Sequence, residues 1–398
     1  MTHEPYPTIR LLPKISPQKL RFGFPWVYAN ELVLDRRTKK IPSGSFVNLT
    51  DSLGQFLGVC TFNANSKIAA RIMDRKEKRA IDRTWLRQKL LAAHALRTRL
   101  FDAPYYRLAH AEADGLPGVI IDRFGDTAVI QPNAAWAENM LDDFTAILTV
   151  DLGLQNVIKN ASGRTRKLEG LDDESLTLVG KIDAPIPVSM NGATFMADVT
   201  GGQKTGLFYD QRPNHAFAAR LAKDQRVLDV FSHVGGFSLT CLAHGATTAT
   251  AIDGSKPALD LAECGAAAMG VASQFETIQG DAFDKMKNLI EAGEKYDFVI
   301  CDPPAFAPNK SALTAGLRAY ERVARLGSQL VAKGGYLGLC SCSHAADLQS
   351  FRASCLAGIG KSGRVAQILH TGFTGADHPT HAQLGENAYL KALFFRLD

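Results

Sequence analysis

The second half of the chain alternates two kinds of segment. From about Phe195 onward, short apolar runs are separated by longer runs in which apolar residues recur at helical spacing. Elements in this order bury their apolar faces when the strands form a parallel sheet and the helices cover both sides of it. We therefore predict an α/β domain over residues 196–398.

A glycine-containing turn follows the first buried strand of this domain. The run from Arg226 to Thr240 is typical of a strand, a loop and a helix that begins near Phe237. Free N–H groups at such a helix start can approach a ligand closely. The spacing is not the GxGxxG of a dinucleotide site, so adenosylmethionine, which carries no phosphate, is favoured. The candidate cofactor-binding residues in this run are Asp229, Phe231, Ser232, Gly235 and Gly236.

Acidic residues also close the next two strands. Asp253 ends the strand predicted over residues 248–252, and Asp281 follows a third strand. A carboxylate at the end of the second strand can bond ribose hydroxyls, and one after the third strand can meet the adenine amino group. Each Asp alone could equally be a helix N-cap or a turn residue. The three strand ends together favour a nucleoside site, although Asp253 by itself does not separate NAD from adenosylmethionine.

Asp302, Pro303 and Pro304 end the buried strand that begins at Tyr296. Consecutive prolines remove N–H donors and stiffen the turn. A rigid turn can hold an acidic group and backbone carbonyls against a flat nucleobase. We predict that Asp302 is catalytic and that Asp302 and Pro303 border the cofactor. A purely structural turn is the alternative, but strand packing does not explain the prolines.

Cys342 ends the strand that begins at Gly335, and a serine flanks it on each side. The carboxyl edge of an open α/β sheet is where active sites usually lie. A thiolate at this edge is a strong nucleophile. A lone cysteine is more often a buried packing residue, but the position of Cys342 favours a catalytic role.

The front of the chain is basic. Residues 1–100 hold 19 Lys or Arg against 7 Asp or Glu, a net charge of +12, whereas the whole chain carries +5. Such a front fits a polyanionic partner, because phosphate neutralisation dominates nucleic-acid affinity. A solvated helix face around Arg75 to Arg99 is the alternative. The residues predicted to follow the phosphates of a nucleic acid, RNA or DNA, are Arg71, Arg75, Lys78 and Arg79.

Short runs before residue 195 predict two further domains. Ser45–Thr50 and Phe56–Phe62 are β-like and separated by turns, which predicts a small β-barrel over residues 1–75. Ile81–Leu100 predicts a basic amphipathic helix within a linker over residues 76–104. Residues 105–195 predict a central α+β domain, with strands Gly118–Asp122, Thr127–Gln131 and Ser175–Val179 and one helix near Trp136–Leu148.

Composition excludes several classes of protein. The seven cysteines show no CxxC pairing, so we expect reduced thiols, neither a disulfide framework nor a structural zinc site, and no bound metal. The first ten residues lack the features of a signal peptide, and no run of about 18 apolar residues occurs. We therefore expect a cytoplasmic protein with no membrane partner.

With these motifs assembled, the chain resembles the family of PUA-domain-containing class I methyltransferases that form 5-methylcytosine in large-subunit ribosomal RNA. The similarity runs almost from end to end. It is carried by seven segments, which are Gly23–Tyr28, Ala109–Asp126, Gly202–Arg212, Phe231–Phe237, Asp302–Phe306, Ser341–Ser343 and Ala376–Pro379.

The resemblance implies a PUA-like domain at the front, a Rossmann-like methyltransferase domain at the back, and S-adenosylmethionine as cofactor. It also implies large-subunit ribosomal RNA as partner and a homodimer. Cys342 matches the family's nucleophile, which adds to cytosine C6 so that C5 can take the methyl group. Asp302 would bond the base near N3 and offset the developing charge.

The chain departs from the family pattern in places. Phe24 replaces the usual histidine of the first motif, and Pro304-Ala305 stands where many cytosine-C5 enzymes have a second cysteine. Cys301 precedes Asp302 and is expected to point away from it. Thr205 is predicted to bind the cofactor. Thr205 and Arg212 serve either the methionine end of the cofactor or the architecture of their own loop.

Two other functions remain open from the sequence. One is methylation of guanine at N7 or N2, because related catalytic domains share the Asp-Pro-Pro turn and need no covalent nucleophile. The other is a non-catalytic RNA-binding assembly factor with a degenerate methyltransferase fold. Dependence on Cys342 distinguishes the first alternative, and cofactor binding distinguishes the second.

Overall fold

The structure is a computed structural model that describes residues 6–201, 206–385 and 389–398. These residues divide into two compact units. The first unit contains residues 6–183 and 377–385, and the second contains residues 184–201, 206–376 and 389–398. The first unit therefore includes a segment that comes late in the sequence. The domain boundaries at residues 75, 104 and 195 stay predictions.

The first unit begins with a five-stranded sheet. Its strands are β1 (Thr8–Arg10), β2 (Trp26–Val27), β3 (Ser45–Thr50), β4 (Phe56–Phe62) and β5 (Ala70–Asp74), and α1 (Gln18–Arg21) precedes β2. The strand order is β1-β3-β4-β5-β2, in which β1 and β3 are parallel and the other pairs antiparallel. The two strands predicted in this region, β3 and β4, are confirmed with their bounds.

Helix α2 (Arg83–Leu100) confirms the predicted amphipathic helix. The side chain of Asp82 caps it by accepting the Trp85 N–H at 2.9 Å. One face of the helix buries Trp85, Leu86 and Leu90. Arg97 is also buried, and its guanidinium forms a two-pronged ion pair with Asp114 at 2.6 and 2.8 Å. Positive charge on this helix is therefore not all exposed.

The first unit also contains a second five-stranded sheet. Its strands are β6 (Tyr105–His110), β7 (Val119–Phe124), β8 (Thr127–Pro132), β9 (Asn156–Lys159) and β10 (Leu176–Val179), in the order β10-β9-β8-β7-β6. Its helices are α3 (Ala135–Asn139), α4 (Leu141–Ala146) and α5 (Arg164–Glu169). The single helix predicted near Trp136–Leu148 is divided in the structure, because the backbone leaves helical geometry at Met140.

The second unit opens with an antiparallel hairpin and continues as alternating strands and helices. The elements in chain order are β11 (Ile186–Met190), β12 (Ala193–Ala197), α6 (Arg212–Ala219), β13 (Arg226–Val230), α7 (Gly236–Ala243), β14 (Thr248–Asp253), α8 (Lys256–Ala268), β15 (Phe275–Gln279), α9 (Ala282–Glu291), β16 (Tyr296–Cys301), α10 (Leu313–Leu330), β17 (Val331–Ser341), α11 (Leu348–Lys361), β18 (Ala366–Gly372) and β19 (Lys391–Leu397).

Seven of these strands form one sheet in the order β15-β14-β13-β16-β17-β19-β18. The five strands from β15 to β17 are parallel, as predicted, but β19 is antiparallel to both of its neighbours. No α-helix lies in the described part of the β18–β19 connection, and a strand that returns without a crossover helix pairs antiparallel. The predicted α/β class is confirmed, and the sheet is mixed at one edge.

None of the helices in the described ranges is long and apolar enough to cross a membrane.

Candidate active site

The chain order of the strands reverses between β13 and β16, which are neighbours in the sheet. Ligands of open α/β sheets bind outside the carboxyl ends of the strands at such a point. Two loops leave the sheet there. The Phe231 N–H donates to Ile252 O at 2.8 Å, and the Asp302 N–H donates to Val230 O at 3.1 Å. Both loops are therefore tied to neighbouring strands where they begin.

The loop after β13 has an unusual backbone. Phe231, His233 and Gly235 have φ angles of 65°, 50° and 79°. Left-handed conformations are uncommon for residues other than glycine, and they cluster at functional sites. Asp253 supports this loop, because its carboxylate accepts the N–H groups of His233 and Ser255, each at 2.8 Å.

Asp229 lies beneath the loop, fully buried. Its carboxylate accepts the Ser238 N–H at 2.9 Å and so connects β13 to the start of α7. Burial raises the pKa of Asp229 to about 6, against the lowering effect of the Ser238 hydrogen bonds. This geometry favours a structural role for Asp229 over direct contact with a cofactor.

The glycines of the loop meet close neighbours. Gly235 precedes α7, and Gly236 is its first residue. A Cβ on Gly236 would lie 2.7 Å from the ring of His215, which is itself buried. Gly236 therefore lets α6 and α7 pack closely, which is a second reason for the glycine pair in the sequence.

Other predicted cofactor residues surround this loop. Ser232 is 6% exposed, and its Oγ has no hydrogen-bond partner among the described residues. The ring of Phe231 lies 6.2 Å from that of Phe283 and 6.4 Å from that of Phe306. Asp281 is exposed and caps α9 by accepting the Asp284 N–H at 3.1 Å. Asp281 is therefore the N-cap of α9, as the alternative interpretation held. Its carboxylate still lies close to the end of β15, where the cofactor residues were predicted.

Asp302 is half-buried after β16, and Pro303 is buried. The carboxylate of Asp302 accepts a hydrogen bond from Gln211 Nε2 at 2.8 Å. Gln211 is held in turn, since its Oε1 accepts Asn214 Nδ2 at 2.6 Å. The amide of Gln211 therefore fixes one oxygen of Asp302.

Cys342 is half-buried between two fully buried serines. The hydroxyl of Tyr320 accepts a hydrogen bond from Ser341 at 2.8 Å and lies 2.7 Å from Ser343 Oγ. Ser343 Oγ also accepts the Ala307 N–H at 2.9 Å, which ties the cysteine segment to the Asp302 loop. Cys342 Sγ lies 4.0 Å from the carbonyl oxygen of Pro303. The structure thus brings the two predicted catalytic motifs together.

The other cysteines are less suited to a reaction with RNA. Cys60, Cys241, Cys301, Cys340 and Cys355 are buried, and Cys264 is exposed on α8. Burial raises the pKa of the Cys301 thiol, which keeps it protonated. All seven cysteines are free, as expected.

The segment before α6 is described in part. Thr205, a predicted cofactor residue, lies outside the described residues, as does Lys204. Asp210 is buried and accepts a hydrogen bond from the Tyr389 hydroxyl at 2.6 Å. The guanidinium of Arg212 lies 5.5 Å from the ring centre of Tyr209.

Of the four basic residues predicted to follow RNA phosphates, Arg71 differs from the rest. It is 7% exposed and pairs with Glu112 at 3.2 Å and with Glu169 at 3.0 Å. This burial between two carboxylates favours a structural role for Arg71.

The other three lie nearer the surface. Arg75 and Lys78 are exposed and Arg79 is half-buried. Arg75 donates to Leu20 O at 2.6 Å, and Arg79 donates to the Gln88 side chain at 2.8 Å.

Sequence reasoning missed three residues of this site, which are Gln211, Tyr320 and Lys391. Gln211 lies inside a motif that the sequence does point to, between Asp210 and Arg212. Tyr320 and Lys391 carry no local signal, because they reach the site from α10 and β19.

Comparison with known families agrees with this geometry. A family model described as a PUA-like domain matches residues 9–75. A second, described as an S-adenosylmethionine-dependent methyltransferase, matches residues 172–396, which is more than half of the chain. Fold and matches together define an S-adenosylmethionine-dependent methyltransferase with a PUA-like domain at its front. Its cofactor is S-adenosylmethionine.

Named relatives define the kind of methyltransferase more closely. A protein of Alteromonas mediterranea named ribosomal RNA large subunit methyltransferase I is 33% identical, over 94% of this chain and 95% of the relative. A Klebsiella pneumoniae protein of the same name is 32% identical over 100% of both chains. This chain therefore belongs to the ribosomal RNA large subunit methyltransferase I family.

Solved structures share the fold. A protein from Streptococcus mutans described as a SAM-dependent methyltransferase superposes with a TM-score of 0.81 at 19% identity, covering 98% of this chain and 100% of that one. A methyltransferase complexed with SAH gives a TM-score of 0.82 at 20% identity, covering 98% and 99%.

Proposed function

We propose that this enzyme transfers a methyl group to carbon 5 of a cytosine in large-subunit ribosomal RNA. The names of its relatives support the RNA, since both are methyltransferases of the large subunit. One observation carries the cytosine chemistry, namely the half-buried thiol of Cys342 beside the Asp302-Pro303 turn. A ribosomal RNA substrate also places the activity in the cytoplasm.

Cytosine C5 is a poor nucleophile, and Cys342 would overcome this. Its thiolate adds to C6, a sulfur–carbon bond forms, and the electron pair of the C5–C6 double bond becomes available at C5. C5 then takes the methyl group. Loss of the C5 proton restores the double bond and expels the Cys342 thiolate. The enzyme therefore ends the cycle unchanged.

Asp302 would act on the base during the same steps. Addition at C6 pushes negative charge toward N3 and the carbonyl oxygen of the ring. Asp302, hydrogen-bonded to the base near N3, would offset this charge. Gln211 donates to one carboxylate oxygen of Asp302 at 2.8 Å and so helps to fix the orientation of this side chain.

The residues at the carboxyl ends of β13 to β15 fit the cofactor. The buried Ser232 Oγ, which has no partner within the described ranges, is suited to a bound polar group. Ser232, Asp253 and Asp281 would hold the cofactor, and Phe231 would offer an apolar face. When bound, S-adenosylmethionine supplies an electrophilic methyl group on its sulfonium sulfur.

RNA made with 5-fluorocytidine tests the covalent step. Fluorine at C5 does not leave as a cation, so the bond between C6 and Cys342 persists after methylation. We expect wild type and Cys264→Ala, which lacks the exposed cysteine, to form a cofactor-dependent covalent complex on a denaturing gel. Cys342→Ala should form none. Equal trapping by Cys342→Ala, or no trapping by wild type, would contradict the proposal.

A further inference from the structure

Lys391 is a buried lysine beside the cysteine segment. It is the first residue of β19, is 4% exposed, and lies opposite Ser341 in the antiparallel ladder between β17 and β19. Its Nζ donates to Ser343 O at 2.7 Å and to Ala346 O at 2.6 Å. The ammonium thus bonds the backbone on the chain just after Cys342.

The partners of Lys391 are unusual for a buried ammonium. Burying a charge is costly unless it is paired. Within the described ranges, Lys391 forms no salt bridge to a carboxylate, and its two hydrogen bonds go to neutral carbonyls. Burial lowers the pKa of Lys391, while negative charge at Cys342 and then at Asp347 acts in the opposite direction. The direction of this effect agrees with the position of the ammonium, which bonds the backbone just after Cys342.

Other titratable groups surround Cys342. Tyr320, on α10, is buried with its pKa raised by burial, so it stays neutral near pH 7. Asp302 after β16 and Asp347 at the start of α11 carry carboxylates, which disfavour a thiolate. His344 lies two residues along the chain, with its ring against that of Tyr389. A protonated Lys391 adds a buried positive charge that opposes these carboxylates.

We propose that Lys391 is a positioning residue that holds the segment after Cys342 and favours its thiolate through charge. The inference rests on the proposed function, because it gives Cys342 the part of nucleophile. This role explains why a lysine is buried with two backbone carbonyls as its partners. Packing alone would be satisfied by an apolar side chain at this position.

Alkylation of Cys342 measures the thiolate directly and needs no RNA or cofactor. In a Cys264→Ala background, Cys342 is the accessible thiol, since the other five cysteines are buried. The rate of its reaction with iodoacetamide is followed from pH 5 to 10 by mass spectrometry. We expect Lys391→Met to move the profile to higher pH by about one unit, which is about a tenfold lower rate at pH 7. Lys391→Arg should restore most of the rate.

Lys333→Met is the matched control, because Lys333 is an exposed lysine on the adjacent strand β17. Its profile should equal that of the background. An unchanged profile for Lys391→Met would overturn the inference. If the melting temperature shows that Lys391→Met is unfolded, Lys391→Gln, which removes the charge and keeps N–H donors, gives the same two outcomes. Failure of RNA trapping through Cys342 would instead refute the proposed function. The alkylation profile could still be measured, because it needs no RNA.

Discussion

At the scale of single residues, exposure separates Cys342 from its neighbours. Ser341 and Ser343 are fully buried and bonded to the Tyr320 hydroxyl, so the residue between them is turned the other way and half-buried. Cys340 is buried on the strand, and burial raises its pKa well above the usual range. The buried serines on each side therefore orient the Cys342 thiol toward the edge of the sheet.

Gln211→Leu removes the amide that fixes Asp302 while keeping a similar volume. We expect the rate of methyl transfer to fall about tenfold, because a hydrogen bond to a charged group contributes about 1.5 to 3 kcal/mol. The affinity for S-adenosylmethionine should change little, as calorimetry can show. Gln349→Leu, on the exposed face of α11, is the control. A wild-type rate of methyl transfer for Gln211→Leu would contradict the role of Gln211 in fixing Asp302.

The sequence allowed Cys342 and Asp302 to be picked out because each ends an apolar run. The contact of Gln211 with Asp302 could not be predicted from the sequence, because 91 residues of chain separate the two. Lys391 meets Ser343 across 48 residues. Arg71 shows the same limit, because a charge count does not reveal two buried carboxylate partners.

At the scale of elements, the connection from β13 to α7 organises the cofactor side of the site. Asp229 on the strand bonds the backbone of the helix, and Asp253 on the next strand bonds the loop between them. The loop conformation is therefore set by carboxylates from two strands.

Asp229→Asn tests the cost of this buried carboxylate. Because the pKa of Asp229 is raised to about 6 in the folded protein, its contribution to stability is fully present below the unfolded value near 3.8 and is lost as pH rises through 6. The variant should therefore gain stability relative to wild type between pH 4.5 and pH 8, by about 1 to 3 kcal/mol. Thermal melting at the two pH values measures this gain. Asp260→Asn, an exposed carboxylate on α8, should show no such trend. A pH-independent difference for Asp229→Asn would argue against a raised pKa.

Periodicity predicted the parallel part of the sheet, since buried parallel strands are near-continuous apolar runs. It did not predict that β19 inserts antiparallel between β17 and β18. That pairing depends on how the segment after residue 372 returns to the sheet, which no local apolar pattern records.

At the scale of the whole molecule, charge is divided unevenly along the chain. The first 100 residues carry +12, so the remainder carries a net negative charge. Part of that positive charge is internal, as Arg71 and Arg97 show. The charge available to RNA is thus smaller than the count suggests.

Replacing Arg75, Lys78 and Arg79 together by Gln tests the remaining phosphate contacts. If all three follow the backbone, the slope of log affinity against log salt should fall by about 2. Fluorescence anisotropy with a ribosomal RNA fragment over a salt series gives this slope. The control replaces three exposed residues of the second unit by Gln and so removes the same number of charges. These residues are Arg325, Lys333 and Lys361. An unchanged affinity and slope for the first variant would contradict the assignment.

The most direct test of the proposed reaction is the identity of the methylated nucleoside. Protein-free large-subunit ribosomal RNA is incubated with labelled S-adenosylmethionine and either wild type or Cys342→Ala, and the RNA is then digested and its nucleosides separated. We expect 5-methylcytidine from wild type and none from the variant. A methylguanosine product, or equal 5-methylcytidine from Cys342→Ala, would contradict covalent catalysis by Cys342.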